Sequence, residues 1–218
     1  AGRIEDAMIA VKLLTTTKYD QALNYARTLQ ELNTHRQDLT ADLLAQAEEQ
    51  LSADLDSSLL FVHGMEWPEG IVGLVAGKLA EKYHRPVIVG SQNGDTIKAS
   101  ARSIAGFHLA NALGEISDLL IRHGGHELAA GLTLHIDNLS KIKEILKDSA
   151  KQKLATKELK RKLNIDAVLE SMEANTDTAS EIAKLGPFGF GNAEPVIAIK
   201  NINLAKNRSF GSKQEHQS

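Results

Sequence analysis

No cysteine occurs among the 218 residues, which excludes disulfide cross-links and thiolate metal sites and is compatible with a reducing compartment. No hydrophobic stretch is long enough for a bilayer either, since the longest apolar run, residues 71–80, is short and interrupted by Lys78. The opening residues carry Glu5 and Asp6 where a secretory signal would be basic and then apolar. The expected location is therefore the cytoplasm, with no membrane partner. An overall basic surplus is missing too: the formal net charge is −3, whereas strong nonspecific binders of nucleic acid carry excess Lys and Arg. What is present, 42% hydrophobic and 24% charged residues, is ordinary globular composition with enough chain for one good core and a smaller element.

Charge is unevenly placed along the chain. Residues 1–60 hold five Lys or Arg against ten Asp or Glu, while residues 141–162 hold nine against three. A local surplus of that size can follow a phosphate backbone and would make binding fall with added salt. A solvated face is the ordinary explanation for a lysine-rich amphipathic helix, and both readings stand at this point.

From Lys18 to about Ser52 there is neither Gly nor Pro, and Ala22, Leu29, Leu43 recur beside Tyr25, Leu32 and Leu39. That spacing predicts one long helix with a narrow apolar stripe, suited to a connecting rod. Arg36 interrupts the seam that a coiled-coil dimer would need. Leu59 to Val62 reads as a buried strand, and Pro68 opens a helix with Val72, Val75, Ala76, Leu79 and Tyr83 inward. Gly70, Gly73 and Gly77 fall on another face of it, each costing about 1 kcal/mol of helix propensity relative to Ala, which close backbone packing would offset. Val87 to Val89 is a strand, Asn93-Gly94 a hairpin turn, and Thr96 to Ser103 the return strand. Phe107 to Leu120 reads as a helix, Ala129 to Ile136 as a strand, and Leu139 to Lys157 as the lysine-rich helix. Alternating strands and helices with one hairpin predict an α/β domain with a mixed sheet flanked by helices. Beyond Leu163 come a short strand, a helix near Thr176 to Lys184, a loop from Gly186 to Pro195, and a strand at Val196 to Ile199. Residues 211–218 contain no apolar side chain, so fraying is expected there.

Two segments carry candidate chemistry. In Arg122-His123-Gly124-Gly125-His126-Glu127-Leu128-Ala129-Ala130-Gly131, paired glycines can take positive φ and aim amides at an anion, or simply make a tight turn. In Lys98-Ala99-Ser100-Ala101-Arg102-Ser103, strand alternation puts Ser100 and Arg102 on one side, a hydroxyl beside a fork of charged donors suited to a terminal phosphate. A polar, solvent-facing strand is the plainer alternative. His123, His126 and His135 lack a Cys, a suitably placed carboxylate or a His-Glu-x-x-His pattern, so a metal cluster is not expected. Trp67 and Phe107 can stack on bases or fill a core, and core filling is favoured.

These segments resemble the RecJ family of single-stranded-DNA-specific exonucleases, within the DHH/DHHA1 phosphoesterases. The resemblance runs through Trp67-Pro-Glu-Gly-Ile-Val-Gly-Leu-Val-Ala-Gly77, Ser100-Ala-Arg-Ser-Ile-Ala-Gly-Phe107, Gly124-Gly-His-Glu-Leu-Ala-Ala-Gly131 and Gly186-Pro-Phe-Gly-Phe-Gly-Asn-Ala-Glu-Pro195, in the family's order. It implies a helical connector over 1–57, a DHHA1 domain over 58–158 and a partial OB-like domain over 159–218, whose unfinished barrel would expose a strand edge. The family's metal domain contains an Asp-His-His motif, which this sequence lacks; Mn2+ or Mg2+ would sit in that missing domain, where two metals would activate water. By resemblance, Arg3, Ser100, Arg102, Gly124, Gly125 and His126 bind substrate, none of them as a catalytic group or metal ligand. The implied activity is degradation of single-stranded DNA from the 5′ end in repair and recombination, with this chain gripping phosphates and inactive alone. Implied partners are single-stranded DNA with a 5′ phosphate and a single-strand binding protein. Two other readings stay open: a DHHA1-type phosphodiesterase for short oligonucleotides or cyclic dinucleotides, and a non-catalytic nucleic-acid-binding module.

Overall fold

A computed structural model describes residues 2–155 and 163–202, together with the backbone of 209–210 and 216–217. The chain divides into two compact units, residues 1–160 and 161–218. In the first, α1 (Met8–Thr15) and α2 (Tyr19–Leu51) lead into β1 (Leu60–Met65), α3 (Glu69–Tyr83), β2 (Val87–Asn93), β3 (Thr96–Arg102), α4 (Leu109–Gly114), β4 (Leu120–Gly125), β5 (Ala129–His135) and α5 (Leu139–Leu154). The strands form one sheet in the order β1-β2-β3-β5-β4. β1 and β2 are parallel, joined through α3, and the remaining pairs are antiparallel, so the sheet is mixed as the alternation of elements predicts.

Each face of the sheet buries a different apolar set. Ile97, Ala99, Ala101, Leu132 and Leu134 point to one face and pack with Phe107, Leu109 and Leu113 around α4 and Ile142, Leu146 and Ala150 of α5. On the other face Leu60, Val62, Val87 and Val89 lie under α3 and the last third of α2, through Ile71, Val75, Leu79, Leu43, Ala47 and Leu51. On this second face α2 lies over β1 and α3 over β2 and β3, so β5 and β4 are the strands left largely open. Across β3, β5 and β4 its positions are Lys98, Ser100, Arg102, Ala129, Gly131 and Thr133, none of them a large apolar group and none fully buried.

Several elements depart from the sequence reading. The hairpin exists, but Asn93 pairs with Thr96, so its two-residue loop is Gly94-Asp95 and Gly94 takes φ 57. Glycine at the first central position is the type II′ requirement, and it moves the turn one residue downstream of the expected Asn93-Gly94. The helix expected over 107–120 is only six residues long; it stops at Gly114, and a 3-10 turn, Ser117–Leu119, leads straight into β4. Helix α1 is an addition, its first turn met by the Asp6 carboxylate accepting from the Met8 amide at 2.9 Å. Of the three α3 glycines, a Cβ at Gly70 would collide with the Arg3 carbonyl and one at Gly73 would sit 3.3 Å from Ser100 Oγ, but Gly77 faces open space. Close packing therefore accounts for the first two alone. Three of the five α5 lysines are engaged locally: Lys147 pairs with Asp54, Lys153 with Glu115, and Lys143 lies 5.1 Å above the Phe61 ring. Lys157 and the basic residues to 162 lie outside the described residues.

The second unit contains β6 (Ala167–Glu170), α6 (Thr176–Ala183) and β7 (Ile197–Lys200), with short strands β8 (Ser209–Phe210) and β9 (His216–Gln217). β6 and β7 form a parallel two-stranded sheet and β8 and β9 an antiparallel one. It is a small OB-like element in which no side chain among residues 163–202 is fully buried. The loop after α6 is tied by Asn192, whose amide donates to the carbonyls of Leu185 and Pro187, both at 3.0 Å. The fraying expected over 211–218 falls on residues outside those described, apart from the backbone pairing of His216–Gln217.

One half-buried histidine makes stability depend on pH. His63 on β1 shares its face with Phe61, and burial first, then the nearby Lys143 ammonium, lower its pKa from the usual 6.5, with a Gln92 hydrogen bond opposing. The folded state then resists protonation, so His63 contributes full stability above pH 6.5 and loses it as pH falls through the depressed value. Urea unfolding at a series of pH values should show a decline below pH 6.5 that His63→Gln flattens; identical pH dependence in both proteins would contradict this assignment.

Candidate functional site

Strand register, more than loop shape, builds the candidate site. Ser100 pairs with Gly131 and Arg102 with Ala129, so both polar side chains stand on the α3 face of β3, half-buried beside Gly73. Arg102 Nη1 donates to the Ala101 carbonyl at 2.9 Å, which fixes one edge of the guanidinium. Its Nη2 lies 3.7 Å from where a Gly73 Cβ would be, beside Ser100 Oγ at 3.3 Å. Arg3 reaches the same turn of α3 from the other end of the unit: its backbone carbonyl rests on Gly70 and its Nη1 donates to the Gly70 carbonyl at 3.4 Å. Gly70 and Gly73 are one helical turn apart and share a face. Three sequence-predicted residues, Arg3, Ser100 and Arg102, are thus gathered around the first turns of α3.

The glycine pair is placed differently from expectation. Gly124 and Gly125 end strand β4, not a loop, and pair with Gly131 and Ala130. His126 donates its amide to the Ala129 carbonyl at 2.8 Å. Antiparallel alternation then commits the Gly124 amide to the β5 ladder and turns the Gly125 amide toward the open sheet edge, so the two cannot converge on one oxygen. Only Gly125 has positive φ, 152, and a Cβ there would collide with Ala129 and Ala130. His126 lies opposite Ala129 and is exposed on the same face as Arg102. Two strand spacings, about 10 Å, separate β3 from β4. The residues that the resemblance assigns to substrate therefore fall into two groups, Arg3, Ser100 and Arg102 at α3 and Gly124, Gly125 and His126 at the edge strand.

Beside these groups, toward the Lys98-Thr133-Arg122 row, lies a trough of about 380 Å³ lined by Lys98, Ala99, Arg122, His123, Gly124, Gly131, Leu132 and Thr133. Gly131 and Gly124 form its low middle: a Cβ on Gly124 would meet nothing within 4 Å, and one on Gly131 only the Ala99 carbonyl at 3.9 Å. Neither glycine is required by packing or by backbone conformation, which leaves access to the sheet backbone as its physical consequence. Sequence reasoning missed Gly70, Gly73 and Gly131 as shapers of the site, although glycines at helical spacing were visible in α3.

Other candidates are placed elsewhere. Trp67 is 7% exposed and donates its indole N–H to Gln46 at 3.0 Å, and Phe107 is 0% exposed, so both fill the core and neither can stack on a base. His123 pairs with Leu132 and is turned from the uncovered face, while His135 is held by Asp137 at 3.2 Å. Helix α5 lies against the opposite face of the sheet, so its lysines do not extend the site.

The comparisons with known proteins match this architecture. Residues 56–152 fit the DHHA1 domain family and residues 165–218 fit the RecJ OB domain family. The chain pairs a RecJ-like DHHA1 domain with a RecJ OB domain. It is 32% identical over 218 residues to the single-stranded-DNA-specific exonuclease RecJ of Bacillus subtilis (strain 168), covering 99% of this chain and 28% of that protein. Against the protein of the same description from Dickeya dadantii (strain 3937) it is 34% identical over 207 residues, 90% of this chain and 36% of that one. The crystal structure of RecJ in complex with Mn2+ from Thermus thermophilus superposes with a TM-score of 0.81 at 28% identity, over 91% of this chain and 29% of that one. The chain therefore spans about a third of the length of these RecJ relatives. RecJ structures hold Mg2+ or Mn2+, and the side chains described in this chain do not fit such an ion, because no group of three or more His, Asp or Glu is placed to hold one. Among the described residues no helix is long and apolar enough to cross a membrane.

The glycine geometry separates structural need from access. Gly125→Ala should lower stability by about 1–3 kcal/mol through backbone strain, whereas Gly131→Ala should leave it within about 1 kcal/mol or raise it. Urea denaturation of the two variants checks the ranking, and the reverse order would contradict it.

Proposed function

We propose that this chain supplies the DNA-holding surface of a RecJ-like exonuclease that degrades single-stranded DNA from the 5′ end in cytoplasmic repair and recombination. The observation that carries the reading is the convergence of Arg3, Ser100 and Arg102 on the Gly70-Gly73 turn of α3. A guanidinium and a hydroxyl side by side at Gly73, with a second guanidinium held at Gly70 one helical turn away, suit a terminal phosphate, which carries more charge and more free oxygens than an internucleotide one. The strand then lies over the uncovered face toward His126, Gly124 and the outward Gly125 amide. Bond cleavage falls to a metal-binding domain outside this sequence, with Mn2+ or Mg2+ there activating water. The connector over 1–57 positions Arg3, the DHHA1 domain over 58–158 grips the end, and the OB-like element over 159–218 supplies a separate DNA-binding unit. A single-strand binding protein is the expected source of substrate. Similarity to RecJ along nearly the whole chain, together with the RecJ OB match, favours this reading over a phosphodiesterase for short or cyclic oligonucleotides.

Charge-assisted hydrogen bonds are worth about 1.5–3 kcal/mol each. Arg102→Ala should therefore weaken binding of a 5′-phosphorylated oligothymidylate about tenfold to a hundredfold and leave a 5′-hydroxyl strand little changed, as read by fluorescence anisotropy. Equal losses for both strands would contradict a 5′-phosphate site, and metal-dependent hydrolysis by the pure chain would contradict the division of labour.

A further inference from the structure

The α3 face of the sheet continues past the Ser100 row. Along β3 the next position on the same face is Lys98, which pairs with Thr133 of β5, and Thr133 in turn pairs with Arg122 of β4. An ammonium, a hydroxyl and a guanidinium thus stand side by side across three strands as one wall of the trough that Gly131 and Gly124 leave open. We propose that Lys98, Thr133 and Arg122 form a second phosphate site, which takes an internucleotide phosphate of the strand whose 5′ end lies at Arg102; the inference rests on that reading of the end site.

Spacing and chemistry both support it. Same-face rows on a strand repeat about every 7 Å, comparable to one sugar-phosphate repeat, so the Lys98 row, two rows from Arg102 across the Ser100-Gly131-Gly124 row, can meet a phosphate about two repeats in from the 5′ end. The donors suit the role, since Lys98 and Arg122 are donor-only cations and Thr133 adds a neutral hydroxyl between them. The cations differ in availability. Lys98 Nζ is already paired with Glu69 at 2.9 Å, whereas Arg122 is exposed on the edge strand with no hydrogen bond or ion pair to another described residue. Arg122 is therefore the main anchor, and Lys98 contributes after exchanging Glu69 for phosphate. The bare glycine row matters as well, since a side chain there would hold the backbone of the ligand away from the sheet. The site has no base-reading group, so the recognition it gives is for length and charge and not for sequence.

The test uses this chain with 5′-phosphorylated oligothymidylates of increasing length, from mononucleotide to tetranucleotide, across a salt series. Wild type should gain affinity with length. Arg122→Ala, with Arg122→Gln as the variant that keeps the aliphatic stem on the edge strand, should remove about tenfold of that gain and reduce the salt slope by about 0.7, the value for one single-strand phosphate contact. Lys98→Ala should remove less. If length dependence and salt slope survive in both Arg122 variants while Arg102→Ala still abolishes the preference for a 5′ phosphate, the second site is overturned and the end site stands. If Arg102→Ala also leaves that preference unchanged, or wild type shows none, the end site falls and the inference with it.

Discussion

Everything in the candidate site depends on how closely α3 approaches β3. Gly70 and Gly73 lack the side chains that would hold the helix away, and the vacated volume is taken by the Arg3 carbonyl at one turn and by Ser100 and Arg102 at the other. The glycines weaken α3 as a helix by about 1 kcal/mol each, a loss offset by burial of Ile71, Val72, Val75, Ala76 and Leu79 beneath α2 and against β1 and β2. In return, the segment before α1 and the far strand of the hairpin, nearly 100 residues apart in sequence, share one turn of helix.

That contact also explains why the sheet has two unlike halves. Helices α4 and α5 cover one face from side to side, so the residues of β3 and β5 facing them are Ile97, Ala99, Ala101, Leu132 and Leu134. On the other face α2 lies over β1 and α3 over β2 and β3, leaving the polar or very small residues of β5 and β4 partly or fully exposed. The net charge of −3 says little about such a surface. Acidic residues gather in the connector, α5 lies behind the sheet with three of its lysines paired or stacked, and the opposite face presents Arg102, Arg122 and Lys98, the last paired with Glu69. Local potential, set by placement, governs encounter with a polyanion.

The parts of this arrangement legible in the sequence are those set by short-range rules. Absence of Gly and Pro plus a 3.6-residue period located α2 within a residue of its ends, and strand alternation put Ser100 and Arg102 on one face. Tertiary placement was not legible. Eight mostly apolar residues of α1 have no clear period, so nothing marked them as a helix. Gly124-Gly125 has the composition of an anion loop, yet its amides are assigned by pairing with β5, a partner that sequence spacing cannot orient. The aromatic residues were ambiguous for a similar reason, since only the neighbours of Trp67 and Phe107 decide that both are core. The arginine at position 3 could be tied to the site only through resemblance; the contact that brings it there is with a glycine 67 residues away.

The most direct measurement is a two-dimensional amide NMR titration of this chain with a short 5′-phosphorylated single strand. The account predicts that the largest shifts map to Gly70, Gly73, Ser100, Arg102, Gly125 and Gly131, with α5 unaffected. Shifts concentrated on the α5 lysines, with the β3-β5-β4 face silent, would contradict it.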